Sequence, residues 1–143
     1  MAQKIINRIL RKLKLIEKHD SFINEKLEDL EFKIQKISNN KILNGHYKDT
    51  YISCKTNWKS RDHCPKLLGI YENQVQEKII QEKKKNNLAN IVNFGAADGY
   101  HILGLIKNNF FEKGYAFEID QKTKEYLEEN IFKNNLSDKI KSF

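Results

Sequence analysis

The sequence predicts an α/β fold: parallel strands in one sheet, with a long amphipathic helix or helical hairpin in front. Two observations carry this. Between residues 90 and 143, short apolar runs alternate with amphipathic runs of helical length, the order that gives strand, helix, strand. Between residues 3 and 38, apolar positions step by three and four without a break.

The organising stretch is Ile91-Val92-Asn93-Phe94-Gly95-Ala96-Ala97-Asp98-Gly99-Tyr100. β-Branched and aromatic residues enter a turn with glycine at each end, and the apolar segment Ile102 to Ile106 follows at once. That predicts a strand over 90–94, a turn over 95–99 and a helix over 100–109. Gly95 can take backbone angles closed to other residues, and Gly99 lets the helix begin close to strand or ligand. The N–H groups of such a turn and helix start face a ligand. Nineteen residues beyond Gly99, Glu118 ends a second apolar run, a strand predicted over 114–119. An acid at that distance is placed to accept hydrogen bonds from ribose hydroxyls. A helix over 121–135 follows, its buried face expected from Tyr126, Leu127, Ile131 and Phe132, and a third strand begins over 139–143.

Asn93 to Tyr100 resembles the first motif of the class I S-adenosylmethionine-dependent methyltransferases. Gly95-Ala96-Ala97-Asp98-Gly99 followed by Ala116-Phe117-Glu118 is most similar to the FkbM-like branch. Tyr115 to Asp120 matches the second motif, and Glu129-Asn130 with Asn134-Asn135-Leu136 is similar to the helix ending common in the family. The likeness covers residues 91–143 well and 66–90 loosely. Asn93 departs from the family's usual acid, which weakens the contact network expected at the methionine end of the cofactor. Ala97 stands for the middle glycine.

The resemblance implies a Rossmann-like unit with strands in the order 3-2-1 and S-adenosyl-L-methionine as cofactor. It implies a cofactor-binding set of Asn93, Gly95, Ala96, Ala97, Asp98, Gly99, Glu118 and Ile119. In that set Gly95 to Gly99 would shape the loop under methionine and ribose, Glu118 would take the ribose hydroxyls, and Ile119 would press on adenine. A nicotinamide cofactor would use a similar acid, but Gly95 to Gly99 is one residue tighter than G-x-G-x-x-G. The expected methyl acceptor is a hydroxyl on a sugar or similar small molecule. The chain reads as the N-terminal part of such a domain, an incomplete unit of three strands. The family's acid after strand three and its catalytic residues after strand four would then lie downstream. His101 reads as a surface or capping residue, no catalytic residue is assigned, and the chain alone is expected not to methylate.

In the front segment, Ile6, Ile9, Leu13, Ile16, Asp20, Ile23, Leu27, Leu30, Ile34 and Ile37 form an a/d heptad seam with Asp20 as its polar intruder. Lys12 and Lys26 fall at g, Glu17 and Glu31 at e, so Lys12–Glu17 and Lys26–Glu31 would bridge two parallel helices. One helix over residues 6–37 would be about 48 Å long and would form a homodimer. The alternative is a hairpin broken near Asp20 and Ser21, either of which caps a second helix.

Domain organisation follows: a helical extension over 1–38, a linker over 39–65, and the α/β unit over 66–143. In the linker, Tyr47, Tyr51 and Trp58 lie among Lys48, Lys55, Lys59 and Arg61 and are expected to pack on the domain. After Pro65 the spacing of Leu68, Tyr71, Val75 and Ile79 predicts one amphipathic helix, ended near Lys83 to Asn87. Gly69 to Glu72 near its start is placed to close over a cofactor.

Net charge is +7, with +8 on residues 1–90 and −1 on residues 91–143. A basic front favours RNA or an anionic surface, yet Lys, Asn and Ile are abundant throughout, so nucleic acid is not the expected partner. A non-catalytic coiled-coil or RNA-binding protein is the competing class. No run approaches the roughly 20 apolar residues of a membrane span, and Met1 opens an amphipathic pattern instead of a signal core. A cytoplasmic protein is expected, with Cys54 and Cys64 as free thiols. His46, Cys54, His63 and Cys64 fit no common zinc spacing, so no metal is expected.

Overall fold

The computed structural model describes residue 26, residues 29–53 and residues 60–143. The elements are α1 (29–38), α2 (Ser60–Leu68), α3 (Asn73–Asn86), β1 (Asn90–Phe94), α4 (Tyr100–Lys107), β2 (Lys113–Phe117), α5 (Gln121–Lys133) and β3 (Ile140–Ser142). The three strands are parallel in the order β1-β2-β3, the predicted 3-2-1 read from the other edge. Ile91 stands opposite Gly114, Phe94 opposite Phe117, and Ala116 opposite Ser142.

Alternation divides the sheet into two faces. Gly114, Ala116 and Ile140 are buried on one face, with Ile91 half-buried beside them. α4 lies on this face so closely that a Cβ on Gly114 would sit 2.7 Å from Ile102 Cδ1. Val92, Phe94 and Phe143 belong to the opposite face and are exposed.

α4 is buried almost all round because a second layer covers it. Ile102, Leu103, Leu105 and Ile106 are fully buried, as are Ile42, Tyr47 and Ile52 from the segment before α2. The Tyr47 ring lies on Gly104, where a Cβ would approach Tyr47 Cγ to 2.1 Å. Residues 41–53 are tied down by backbone bonds as well as packing. Lys41 and Tyr51 form an antiparallel bridge. Asn134, at the C-cap of α5, accepts from Tyr51 N–H at 2.8 Å and donates to Tyr51 C=O at 2.8 Å.

Three sequence expectations need correction. The single helix after Pro65 is two helices, α2 and α3, separated by Gly69 to Glu72. Gly69 has φ 76° and Glu72 φ 48°, both left-handed, and a Cβ on Gly69 would lie 1.9 Å from the Asn44 carbonyl oxygen. The chain therefore turns where the apolar spacing ran on, leaving Val75 exposed while Gln76 and Ile80 are buried. In α5, Phe132 is 70% exposed and Asn130 is buried in its place, because Asn130 bridges two backbone segments.

In α1, Ile34 packs in the core but Leu30 and Ile37 are exposed. Glu31, expected to face a partner helix, instead turns to His63 with Oε1 3.2 Å from Nδ1. The seam over residues 6–25, with Leu27, lies outside the described residues, as do Cys54 and Trp58. Cys64 is a buried free thiol. No helix of the described residues is long and apolar enough to cross a membrane.

Candidate functional site

The turn 95–99 links β1 to α4 at the carboxyl end of the sheet. Gly95 has φ 67°, and nothing lies within 4 Å of where its Cβ would be, so this position opens to solvent. Ala97 is also left-handed, at φ 50°. Ala96 is buried and its N–H donates to the Phe117 carbonyl at 2.9 Å, which fastens the turn to the end of β2. Gly99 serves packing: a Cβ there would stand 2.6 Å from Leu127 Cδ1 of α5 and 2.8 Å from Leu103 Cδ1 of α4.

Glu118 completes the approach of β2 to the turn. Its Oε2 accepts the Ala97 N–H at 2.8 Å, and its Oε1 accepts the Asp120 N–H at 2.9 Å. Asp120 caps α5 instead, accepting from Thr123 N–H at 2.8 Å and Thr123 Oγ1 at 2.7 Å. Those bonds from Thr123 hold the Asp120 carboxyl below its ordinary value. Ile119 projects fully into solvent. Phe94, Gly95, Phe117, Glu118, Ile119 and Phe143 line an open groove of about 320 Å³.

Asp98 points the other way, into the protein. Lys66 Nζ of α2 donates to Asp98 Oδ2 at 2.6 Å, Tyr100 N–H donates to Oδ1 at 3.1 Å, and Asn130 Nδ2 donates to the Asp98 carbonyl at 2.9 Å. Both charged side chains are at least 95% buried, and Lys66 also faces the rings of Tyr71 and Tyr100 at 5.2 and 5.7 Å. A buried charge without a partner is costly, so this pair fixes the turn to α2.

A second recess, about 160 Å³, lies on this side of the turn. Asn93, Gly95, Ala97, Lys66, Glu72 and His101 are among its lining residues. His101 is not isolated: Nδ1 is 3.1 Å from Tyr47 Oη and Nε2 is 2.7 Å from Glu72 Oε2. Burial pushes the Tyr47 phenol well above its ordinary value, with the Tyr100 and Glu72 charges adding to it. Burial likewise raises Tyr100, against the Gln76 amide that donates to its oxygen at 3.1 Å.

The predicted residues thus divide into two groups. Gly95, Glu118 and Ile119 line the open groove, and Asn93, Gly95, Ala96, Ala97 and Asp98 line the recess. Ala96, Asp98 and Gly99 hold the turn in place from within.

No protein-family model matches the chain, and no curated protein matches it. Solved structures resemble part of it. A Staphylococcus aureus protein described as a caffeoyl-CoA O-methyltransferase matches at 19% identity, over 52% of this chain and 35% of that one, with a TM-score of 0.46. TrmK of M. capricolum, in complex with S-adenosylhomocysteine, matches at 27% identity over 46% of this chain and 30% of that one, with a TM-score of 0.39. The O-methyltransferase from Bacillus cereus, also in complex with S-adenosylhomocysteine, matches at 18% identity over 60% and 50%, with a TM-score of 0.36. The chain therefore spans between about a third and a half of these proteins.

Lys66 and Asn130 were not among the sequence candidates for the site, and Glu72 entered only as the end of the segment Gly69 to Glu72. Lys66 is one of 26 basic residues and no spacing marks it. Asn130 carried one signal, its place in the Glu129-Asn130 pair on which the sequence resemblance rests, and in the structure it joins Ser53 to Asp98.

Proposed function

We propose that the groove between the turn 95–99 and the tip of β2 binds S-adenosylmethionine, and that this chain carries the cofactor-binding part of a methyltransferase. The observation that carries this reading is the convergence of Glu118 on the turn through its bond to Ala97 N–H. A carboxylate offers about four acceptor positions, and two are used by Ala97 and Asp120. Two remain for the donors of a vicinal diol such as ribose. The open space above Gly95 admits a ligand against backbone, and Ile119 with Phe117 supplies apolar surface for an aromatic base.

S-Adenosylmethionine supplies an electrophilic methyl group when bound. The chain's own contribution is to orient it, with Glu118 fixing the sugar and the turn setting the depth of approach. Asn93 takes the place of an acid at the inner recess, where its amide donates and accepts without charge. The acceptor proposed from the FkbM-like resemblance is a hydroxyl of a sugar or small molecule. A homodimer through residues 6–37 belongs to the same proposal; at the described end of the seam Leu30 and Ile37 are exposed, while Ile34 packs in the chain's own core.

Calorimetry with S-adenosylmethionine and S-adenosylhomocysteine tests the cofactor. Saturable heat for both, lost in Glu118→Ala, is expected. Absence of heat at ligand concentrations of about 1 mM, the upper end of ordinary enzyme affinities, would overturn it.

A further inference from the structure

The recess beside the turn holds a carboxylate that the groove does not use. Glu72 stands at the N-cap of α3, yet its side chain makes no capping bond to that helix. It goes to His101 instead, with Oε2 2.7 Å from Nε2. A carboxylate at that distance requires a hydrogen on Nε2, and the neutral ring then presents Nδ1 as an acceptor. Tyr47 Oη lies 3.1 Å from Nδ1, and burial keeps that phenol protonated and able to donate. The donors therefore run from Tyr47 to His101 to Glu72 and end on the carboxylate. Glu72 takes this place at φ 48° and ψ 41°, a left-handed backbone that is costly for a residue with a Cβ. Residues held in such conformations cluster at ligand clamps.

Charge and position decide what the recess would take. Lys66 and Asp98, also in its lining, neutralise each other. The Glu72 side chain, 44% exposed, then makes the recess negative. Gly95 lines both the recess and the groove, so one ligand can lie across it. With the nucleoside of S-adenosylmethionine in the groove, the far end of that molecule is an α-amino acid, and its ammonium group carries the complementary charge.

We propose that Glu72, positioned by His101 and Tyr47, is the counter-ion for the ammonium group of the cofactor. This rests on the reading of the groove as the cofactor site. It assigns the anchor of the amino-acid end to the segment before α3 and not to β1, where Asn93 brings no charge. The contacts that hold Glu72 in place lie between residues 47 and 101.

Calorimetry of the full chain with three probes tests this. The probes are S-adenosylhomocysteine, its deamino analogue with hydrogen in place of the amino group, and 5′-methylthioadenosine, which lacks the amino acid altogether. Wild type should bind S-adenosylhomocysteine about tenfold more tightly than the deamino analogue, the effect of one charge-assisted bond. Glu72→Gln keeps the shape and loses the charge; it should lose that preference and bind 5′-methylthioadenosine as wild type does. Glu118→Ala should weaken all three probes alike, because each carries the ribose. Equal wild-type affinity for S-adenosylhomocysteine and the deamino analogue would overturn the assignment and leave the groove reading standing. An unchanged preference in Glu72→Gln would do the same, as would a loss of 5′-methylthioadenosine in that variant as large as the loss of S-adenosylhomocysteine. Absence of heat from every probe at about 1 mM would overturn the groove reading and this inference together.

Discussion

Glu118 and Ala97 meet across 21 residues of sequence, the carboxylate Oε2 accepting the turn's N–H at 2.8 Å. That one bond joins the strand–turn–helix unit to the tip of the next strand, and it sets the distance between the two parts of the proposed cofactor site. Glu118→Ala should therefore weaken S-adenosylhomocysteine at least about tenfold, from the loss of charge-assisted bonds. Its cost to stability should be about 1 kcal/mol, since Ala97 and Asp120 N–H lie near solvent. Calorimetry and urea unfolding on the same variant check both. Unchanged affinity would move the ribose contact away from Glu118.

Lys66 and Asp98 form the buried pair that anchors the turn. Lys66→Met leaves the Asp98 carboxylate without its cation and should cost about 3–5 kcal/mol. The double variant Lys66→Met, Asp98→Asn removes the stranded charge and should recover much of that loss. Urea midpoints with unchanged slopes would read the difference. A Lys66→Met chain as stable as wild type would show that the pair contributes nothing.

Acid should loosen the contact between α1 and α2. Burial holds the His63 imidazole below its ordinary 6.5, opposed by the carboxylates of Glu31 and Asp98, while the Lys66 charge acts with burial. A folded-state value below the unfolded one means that the unfolded chain binds the proton first. The stability contributed by neutral His63 is complete above pH 6.5 and falls as pH drops through the folded value. Urea midpoints between pH 7.5 and 5 should decline in the wild type and decline less in His63→Gln. Identical slopes would contradict this assignment.

Two glycines should respond in opposite ways to alanine. Gly104→Ala drives a Cβ into the Tyr47 ring and should cost about 1–3 kcal/mol by overpacking, with cofactor affinity kept in the folded fraction. Gly95→Ala meets open space and should cost about 1–2 kcal/mol from its left-handed backbone alone, yet lose cofactor affinity. Thermal melts paired with calorimetry distinguish the two.

The parallel sheet was legible because β1, β2 and their helices carry local patterns: β-branched residues, a glycine-bounded turn, an apolar helix. The place of Glu118 beside the turn was legible by its spacing from Gly99. What the sequence hid depends on contacts between distant segments. The break at Gly69 is set by the Asn44 carbonyl packed against it, and a run of apolar residues continues straight through that break. Phe132 yields its buried place to Asn130 because Ser53 N–H and Asp98 C=O need a polar partner. Ile42, Tyr47 and Ile52 enter the core without any periodicity, held by the α5 asparagines and by the Lys41–Tyr51 bridge.

The most direct test of cofactor binding at this turn is an amide chemical-shift titration of the labelled chain with S-adenosylhomocysteine. The ligand must share Glu118 with Ala97, so the Ala97, Glu118 and Ile119 amides should shift first and saturate together, with Gly95 following the same curve. The amides of α3, none of whose residues lines the groove, should stay put. Saturable shifts confined to other residues, or none up to about 1 mM ligand, would contradict the assignment of this groove.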